Sequence, residues 1–330
     1  MKEYEVMNES EKLSFLAELS TMYYELNMTQ AEIAAKLSTT RFKVSKLLQE
    51  SRDKNVVQIT INQPRERVYD IESELKKRFN LKQAIVLDNK VLPYEETLYT
   101  LGKLGAEYLD NIITENSIIG VLWGTTMFNL VKNLKPRKKL PITAVQILGA
   151  AAKDDPIVDA PELIRQIASA YGGKYKYLYA PLYIDNDYAR KALIQEPFIN
   201  DTLFLANKAD IIITGIGTMD ALTSSTLWSN YLAQRSELSK QKAIGCIFAH
   251  VFDINGKEAN VDINKKVIGV DLDTLRQVEY KVGIAAGKFK AEAILGALRG
   301  KYINVLITDD RTATKVLSLD SLQQDYKLRG

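Results

Sequence analysis

The chain has 330 residues, 46% of them hydrophobic and 26% charged, enough for one large domain beside a small one. Cys246 is the only cysteine, which excludes an intrachain disulfide and a cysteine-based zinc site and suits a reducing cytoplasm. The formal net charge of +3 names no partner by itself. No run of about 18 apolar residues is present to span a membrane, and the first residues lack the apolar core of a signal peptide.

Leu13, Leu16, Leu19, Met22, Tyr23 and Leu26 recur at helical spacing and predict a first helix. Thr29 opens a second segment, TQAEIAAKL, with Glu32 three residues on, the pattern of a capping box. Ser38, Thr39 and Thr40 read as a polar turn, and RFKVSKLLQESRDK as a third helix with Val44, Leu47 and Leu48 on one face. VVQITIN is β-rich and suits a wing. Pro64 then breaks the pattern, and an amphipathic helix is expected from Val68 to Phe79.

Beyond residue 81 short apolar strands alternate with helices. The expected strands are QAIVLD (83–88), SIIGVLW (117–123), ITAVQIL (142–148), KYLYAPL (176–182), ADIIITGIG (209–217), KAIGCIF (242–248), KVGIAA (281–286) and INVLITD (303–309). Helices such as TMFNLVKNL and FKAEAILGALRG separate them. That alternation predicts a mainly parallel sheet covered on both faces. The chain as a whole is read as α/β: a winged helix-turn-helix over residues 1–62, then a Rossmann-like parallel-sheet domain over 63–330 that binds an effector and carries oligomerisation.

The segment from Thr29 to Lys54 has the helix–turn–helix pattern that places a second helix in the major groove. Ile33, Ala34 and Leu37 are expected to face Val44, Leu47 and Leu48, leaving Thr29, Gln30, Thr39, Thr40, Arg41, Lys43, Ser45 and Lys46 as candidate DNA contacts. Charge placement agrees: residues 1–35 carry a balance of −5, whereas residues 36–54 carry +4. The competing reading is a helical protein-interaction module with a solvated basic face.

Three strand-to-helix junctions suit ligand binding, because ligands of open α/β sheets sit beyond the carboxyl ends of strands. They are Trp123-Gly124-Thr125-Thr126-Met127, Gly215-Ile216-Gly217-Thr218 and Gly287-Lys288-Phe289-Lys290. In the first, two hydroxyls and the N–H groups of a helix start suit a phosphate or carboxylate; in the third, Lys290 adds positive charge. His250, the sole histidine, reads as a structural residue in the apolar stretch IFAHVF, and Cys246 as a small buried one. Arg137, Lys138 and Lys139 read as a solvated loop, and Asp309 and Asp310 as structural rather than catalytic. No Ser/His/Asp set, metal-ligand cluster or Walker loop is visible, so no metal or cofactor is expected.

The stretches TQAEIAAKL, RFKVSKLLQESRDKNVVQITI, GVLWGTTM, AVQILGA, GIGT, AIGCIFAHVFDINGK and IAAGKFKAEAILGALRGKYINVLITDDRTA, in this order, resemble the SorC/DeoR-type bacterial regulators over nearly the whole chain. The resemblance implies a cytoplasmic two-domain regulator that binds operator DNA. Its C-terminal domain would be related in fold to sugar-phosphate isomerases and deaminases, would bind a phosphorylated sugar or related metabolite, and would assemble as a dimer or tetramer. It implies an anion-binding loop at Gly124, Thr125 and Thr126, with Gly215, Gly217, Gly287 and Lys290 in other pocket segments. Two departures stand out. Leu148, followed by Gly149, occupies a position where a family member carries a lysine that forms a Schiff base with its sugar. Cys246 stands where many members have an acidic residue. These changes exclude covalent sugar sensing at residue 148 and leave two effector classes: a phosphorylated sugar, or a small carboxylate such as citrate. The reading from another class is a sugar-phosphate isomerase or deaminase with an added DNA-binding head.

Overall fold

A computed structural model describes residues 4–58, 67–89, 92–151, 157, 159–223 and 241–329. The chain divides into two compact units, Met1–Pro64 and Arg65–Gly330.

The first unit is a three-helix cluster: α1 (Glu9–Tyr24), α2 (Gln30–Lys36) and α3 (Arg41–Asp53). Side chains close the open N–H groups at each helix start. Asn8 and Glu11 form a reciprocal capping box on α1, Thr29 and Glu32 do the same on α2, and the Thr40 hydroxyl accepts from the Lys43 N–H at 3.2 Å. Ser38, with φ 49°, turns the chain between α2 and α3. Leu16, Leu19, Ile33, Ala34, Val44, Leu47 and Leu48 form the core, with Leu37 packed against it. Leu13 and Leu26, expected on the apolar stripe of α1, are exposed. Of the stretch expected as a wing, residues 59–62 lie outside the described residues; Val56 and Val57 both donate their N–H to the Ser51 carbonyl rather than to a strand partner.

The second unit opens with α4 (Tyr69–Phe79), which starts one residue after the expected Val68 and ends at Asn80 in the left-handed conformation. Seven strands follow in one all-parallel sheet: β1 (Gln83–Leu87), β2 (Ile118–Val121), β3 (Thr143–Gln146), β4 (Lys174–Lys176), β5 (Ile211–Gly215), β9 (Tyr280–Ile284) and β10 (Val305–Asp309). Their order is β1-β10-β9-β5-β2-β3-β4. The expected parallel α/β sheet is therefore present. Alternate residues enter opposite cores: Ile211 and Ile213 pack on one face, Ile212 on the other. The two-residue period and burial on both faces explain why these segments read as continuous apolar runs.

Three expected strands differ: ADIIITGIG, expected whole over 209–217, stays in the parallel sheet only over Ile211–Gly215, with Gly217 in a second sheet, and two others depart further. The sequence predicts KYLYAPL as a strand at 176–182, yet the strand is Lys174–Lys176. Pro181 has no N–H to give a ladder, and the Leu178 N–H donates to the Gln146 side chain at 3.2 Å, so the chain beyond residue 176 leaves the sheet. KAIGCIF forms β7 (Ala243–Ile247) but not in the parallel sheet. It pairs antiparallel with β6 (Gly217–Thr218) and β8 (His250–Asp253) in a separate three-stranded sheet.

Helix α5 (Tyr94–Ile112) precedes β2 and α6 (Thr125–Lys132) follows it, and the two helices pack against each other. After β2 the chain moves outward to β3 and β4; after β5 it moves the other way, to β9 and β10. The carboxyl ends of β2 and β5, paired through Val121 and Ile213, therefore flank the topological switch point of the sheet.

Candidate functional site

A cavity of about 340 Å³ lies at that switch point. Leu122 to Thr126, following β2, form one wall, and Thr214 to Gly217, at the end of β5, form the next. A third comes from Cys246 to Ala249 on the antiparallel sheet, and Tyr94, Glu95 and Leu98 from the first turns of α5 contribute a fourth. Ala221, Leu222 and Lys290 complete the lining.

The α6 end of the cavity presents open donors. Gly124, with φ 118°, occupies the N-cap and has no side chain to cap the helix, so the first-turn N–H groups stay open. A Cβ at Gly124 or Gly215 would meet nothing within 4 Å, so both glycines leave open space where a ligand can approach the backbone. Burial holds the Lys290 ammonium below the usual lysine range, and among the described residues no carboxylate pairs with it. A half-buried cation without a counter-ion and open helix N–H groups, lining one cavity, are chemistry that suits an anion.

Among the residues read from sequence, the structure brings Gly124, Thr125, Thr126, Gly215, Gly217, Cys246 and Lys290 to this cavity. Five others do not line it. The Met127 side chain is buried in the core beneath α6. Leu148 is 1% exposed in the opposite core and bridges to Gly269, while the Gly149 N–H donates to the Ile268 carbonyl. The Thr218 hydroxyl accepts from the Ala221 N–H at 3.3 Å. The Gly287 N–H is committed to Asp309 at 3.1 Å and to Thr312 at 2.8 Å. Sequence reasoning missed Tyr94, Glu95 and the Phe248–Ala249 turn; no local motif marks them, since only folding brings α5 and the second sheet to the ends of β2 and β5.

Asp309 is buried and accepts from the Thr312 N–H and hydroxyl as well as from Gly287, which accounts for it as a structural residue. The loop residue Arg137 is exposed and pairs with Asp110 at 2.8 Å, and Lys139 donates to the Ala170 carbonyl.

In the first unit, Thr29, Thr40, Arg41, Ser45 and Lys46 are exposed, and Gln30, Thr39 and Lys43 half-buried. Lys43 pairs with Glu5 and Lys54 with Glu9, each at 3.1 Å, so part of the basic charge of α3 is neutralised by the acidic leading segment. Phe42, missed in the sequence, is 70% exposed at the start of α3, with the Lys46 ammonium 5.0 Å from its ring centre. An open cleft of about 720 Å³ gathers Thr29, Gln30 and Arg41 with Tyr23, Tyr24 and Asn27. Among the described residues no helix is long and apolar enough to cross a membrane, and no group of three or more His, Cys, Asp or Glu is placed to hold a metal ion.

Residues 63–318 match a family model described as "Putative sugar-binding domain". The chain belongs to the sugar-binding-domain family of SorC/DeoR-type transcriptional regulators. It is 31% identical over 310 residues to the deoxyribonucleoside regulator of Bacillus subtilis, covering 93% of this chain and 98% of that one. It is 30% identical over 315 residues to the sorbitol operon regulator of Klebsiella pneumoniae, covering 94% and 100%. The crystal structure of the full-length Klebsiella regulator SorC superposes with a TM-score of 0.78 at 29% identity, over 92% of this chain and 98% of that one.

Proposed function

We propose that this member of the family is a cytoplasmic, DNA-binding transcriptional regulator of a carbon-metabolism operon. Its affinity for double-stranded operator DNA is set by a small anionic metabolite held in the switch-point cavity. The observation that carries the reading is the presence, in one cavity, of an open helix start at Gly124–Thr126 and the half-buried ammonium of Lys290. The relatives' names, regulators of sugar-related operons, support the same reading. A phosphorylated sugar is the first effector class, and a small carboxylate such as citrate the second.

In the first unit, α3 is the helix that enters the major groove. Arg41 and Lys46 reach phosphates or base edges, and Phe42 offers an apolar surface to a thymine methyl group. Thr39, Thr40, Lys43 and Ser45 flank them, and Thr29 and Gln30 approach the backbone from the start of α2. The two units act as one device through linkage. The effector binds the DNA-competent and DNA-incompetent states with different affinity, a coupling of about 1–3 kcal/mol in typical cases. A homodimer or tetramer places two such heads on a two-fold operator.

A sensor fits better than a sugar-phosphate isomerase or deaminase. Both Asp309 oxygens are occupied by Gly287 and Thr312, and His250 is turned to the backbone, so neither is poised as a base in the cavity. The test is a gel shift on the DNA upstream of the protein's own gene, with and without sugar phosphates and organic acids, alongside calorimetry and product analysis. An anion that binds without turnover and changes DNA affinity is expected. Binding of neutral sugars alone, or turnover of fructose or glucosamine phosphates, would overturn it.

A further inference from the structure

The hairpin joining β7 to β8 turns through only two residues, Phe248 and Ala249, with Ile247 paired to His250. Both turn residues are left-handed, with φ of 51° and 61°. Consecutive positive φ values belong to the tight turn that ordinarily takes Asn-Gly. A phenylalanine and an alanine are strained there and persist only where the surroundings impose the conformation. Here two side chains do so. The His250 Nδ1–H donates to the Phe248 carbonyl at 2.7 Å, and the Tyr183 hydroxyl donates to the Ala249 carbonyl at 3.1 Å.

Both carbonyls are thus satisfied, but the two N–H groups are not. Phe248 and Ala249 are only 1% and 3% exposed, and among the described residues neither N–H has an acceptor. Buried backbone donors without a partner are rare in native structures. Both residues line the effector cavity. The described polar lining is otherwise rich in donors, with the Lys290 ammonium, the Thr125 and Thr126 hydroxyls and the open α6 start, whereas Glu95 is the one carboxylate.

We propose that the Phe248–Ala249 turn is a second polar wall of the cavity. Its two N–H groups donate to an acceptor oxygen, a carboxylate or carbonyl, at the end of the effector that does not carry the phosphate. This rests on the anion-cavity reading and narrows it: the effector class is a sugar phosphate bearing an acid or carbonyl group, rather than one ending in hydroxyls alone. His250 and Tyr183 are positioning residues for this wall, since they hold the turn and do not face the ligand through their own polar atoms.

The test uses the full-length chain and three probes by calorimetry: inorganic phosphate, 6-phosphogluconate and glucitol 6-phosphate. The last two differ only at C1, a carboxylate against a hydroxymethyl group. The expected result is 6-phosphogluconate bound at least ~10-fold more tightly, the scale of a hydrogen bond to a charged group. Replacing Ala249 by its α-hydroxy acid analogue turns that peptide N–H into an ester oxygen. It is expected to shrink the preference several-fold while inorganic phosphate binds as before. Equal binding of the two sugar phosphates, a preference for glucitol 6-phosphate, exclusion of both while phosphate binds, or an undiminished preference in the ester variant would each overturn the proposal and leave the anion site standing. Absence of binding by all three probes would instead overturn the anion-cavity reading, and this proposal with it.

Discussion

The imidazole of His250 reaches back two residues to the Phe248 carbonyl, 2.7 Å from Nδ1, and so clasps the turn that forms one wall of the cavity. Burial pushes the imidazole below its usual range. Hydrogen bonding to that carbonyl, Glu258 at 3.9 Å from Nε2, and Asp271 oppose the shift, while Arg276 reinforces it. The folded state therefore holds the neutral ring. Above about pH 6.5 the ring is neutral in both states and folding gains its full stability. As pH falls below that value the unfolded chain takes up the proton first, and stability declines until the folded ring also protonates. Denaturant midpoints measured between pH 7.5 and 5.5 are expected to fall more steeply for the wild type than for His250→Asn, which has no titrating ring. Parallel slopes would contradict this assignment, and His250 being the sole histidine keeps the comparison clean.

Lys290→Met and Thr125→Ala are expected to weaken effector binding while leaving effector-free DNA binding unchanged. Loss of a hydrogen bond to a charged group costs about 1.5–3 kcal/mol, or roughly 10- to 100-fold for the lysine variant. The threonine variant loses less, because the α6 N–H groups remain. Since burial lowers the Lys290 pKa and a bound anion restores the charge, binding takes up protons and weakens as pH rises through the lowered value. Calorimetry in buffers of different ionisation heat reads that uptake directly. A folded Lys290→Met protein that has lost DNA binding without effector would contradict the division of labour.

On the DNA side, Arg41→Ala and Phe42→Ala are expected to fail differently. If Arg41 holds a guanine edge, its loss costs about 1–3 kcal/mol and relaxes preference at one position; if it holds a phosphate, affinity falls for every sequence and the salt slope drops by about 0.9. Competition between operator variants at two salt concentrations separates the two. Phe42 carries no charge, so its removal leaves the salt slope alone. An operator with deoxyuridine in place of thymidine at the contacted step should bind wild type and Phe42→Ala equally. A persistent difference on that DNA would rule out the thymine-methyl contact.

What the sequence made legible was whatever local chemistry decides. The Thr29–Glu32 box and the Thr40 cap set the starts of α2 and α3 through contacts only three residues apart, so reading them needed no tertiary information. The alternation of Ile211, Ile212 and Ile213 between two cores likewise follows from strand period alone. Long-range pairing hid the rest. Lys43 looks free in sequence but meets Glu5, thirty-eight residues away. Leu148 follows a strand end, as pocket residues do, yet bridges to Gly269 and packs into the core. The β7–β8 turn lacks the Asn-Gly signal because His250 and Tyr183 impose its shape, so the sequence reading runs its strand to Phe248, into the turn, and misses β8.

The proposed anion loop also depends on a contact it does not touch. A Cβ on Gly102 of α5 would lie 2.6 Å from the backbone carbonyl carbon of Asn129 in α6, the helix whose first turn is the proposed anion site. Backbone cannot rotate aside, so Gly102→Ala must push the two helices apart. Overpacking of this kind costs about 1–3 kcal/mol, and here it displaces Thr125 and Thr126 from their places at the end of β2. Gly105, on the same helix, is the built-in control. Its added Cβ would meet the Ile284 Cδ1 at 2.6 Å and the Leu130 Cδ1 at 3.0 Å, both ends of side chains that can change rotamer. Gly102→Ala is therefore expected to lower both the unfolding midpoint and phosphate affinity, and Gly105→Ala to lower the midpoint less and spare the affinity. Equal loss of affinity in both variants would show that α6 is not positioned by the close approach at Gly102.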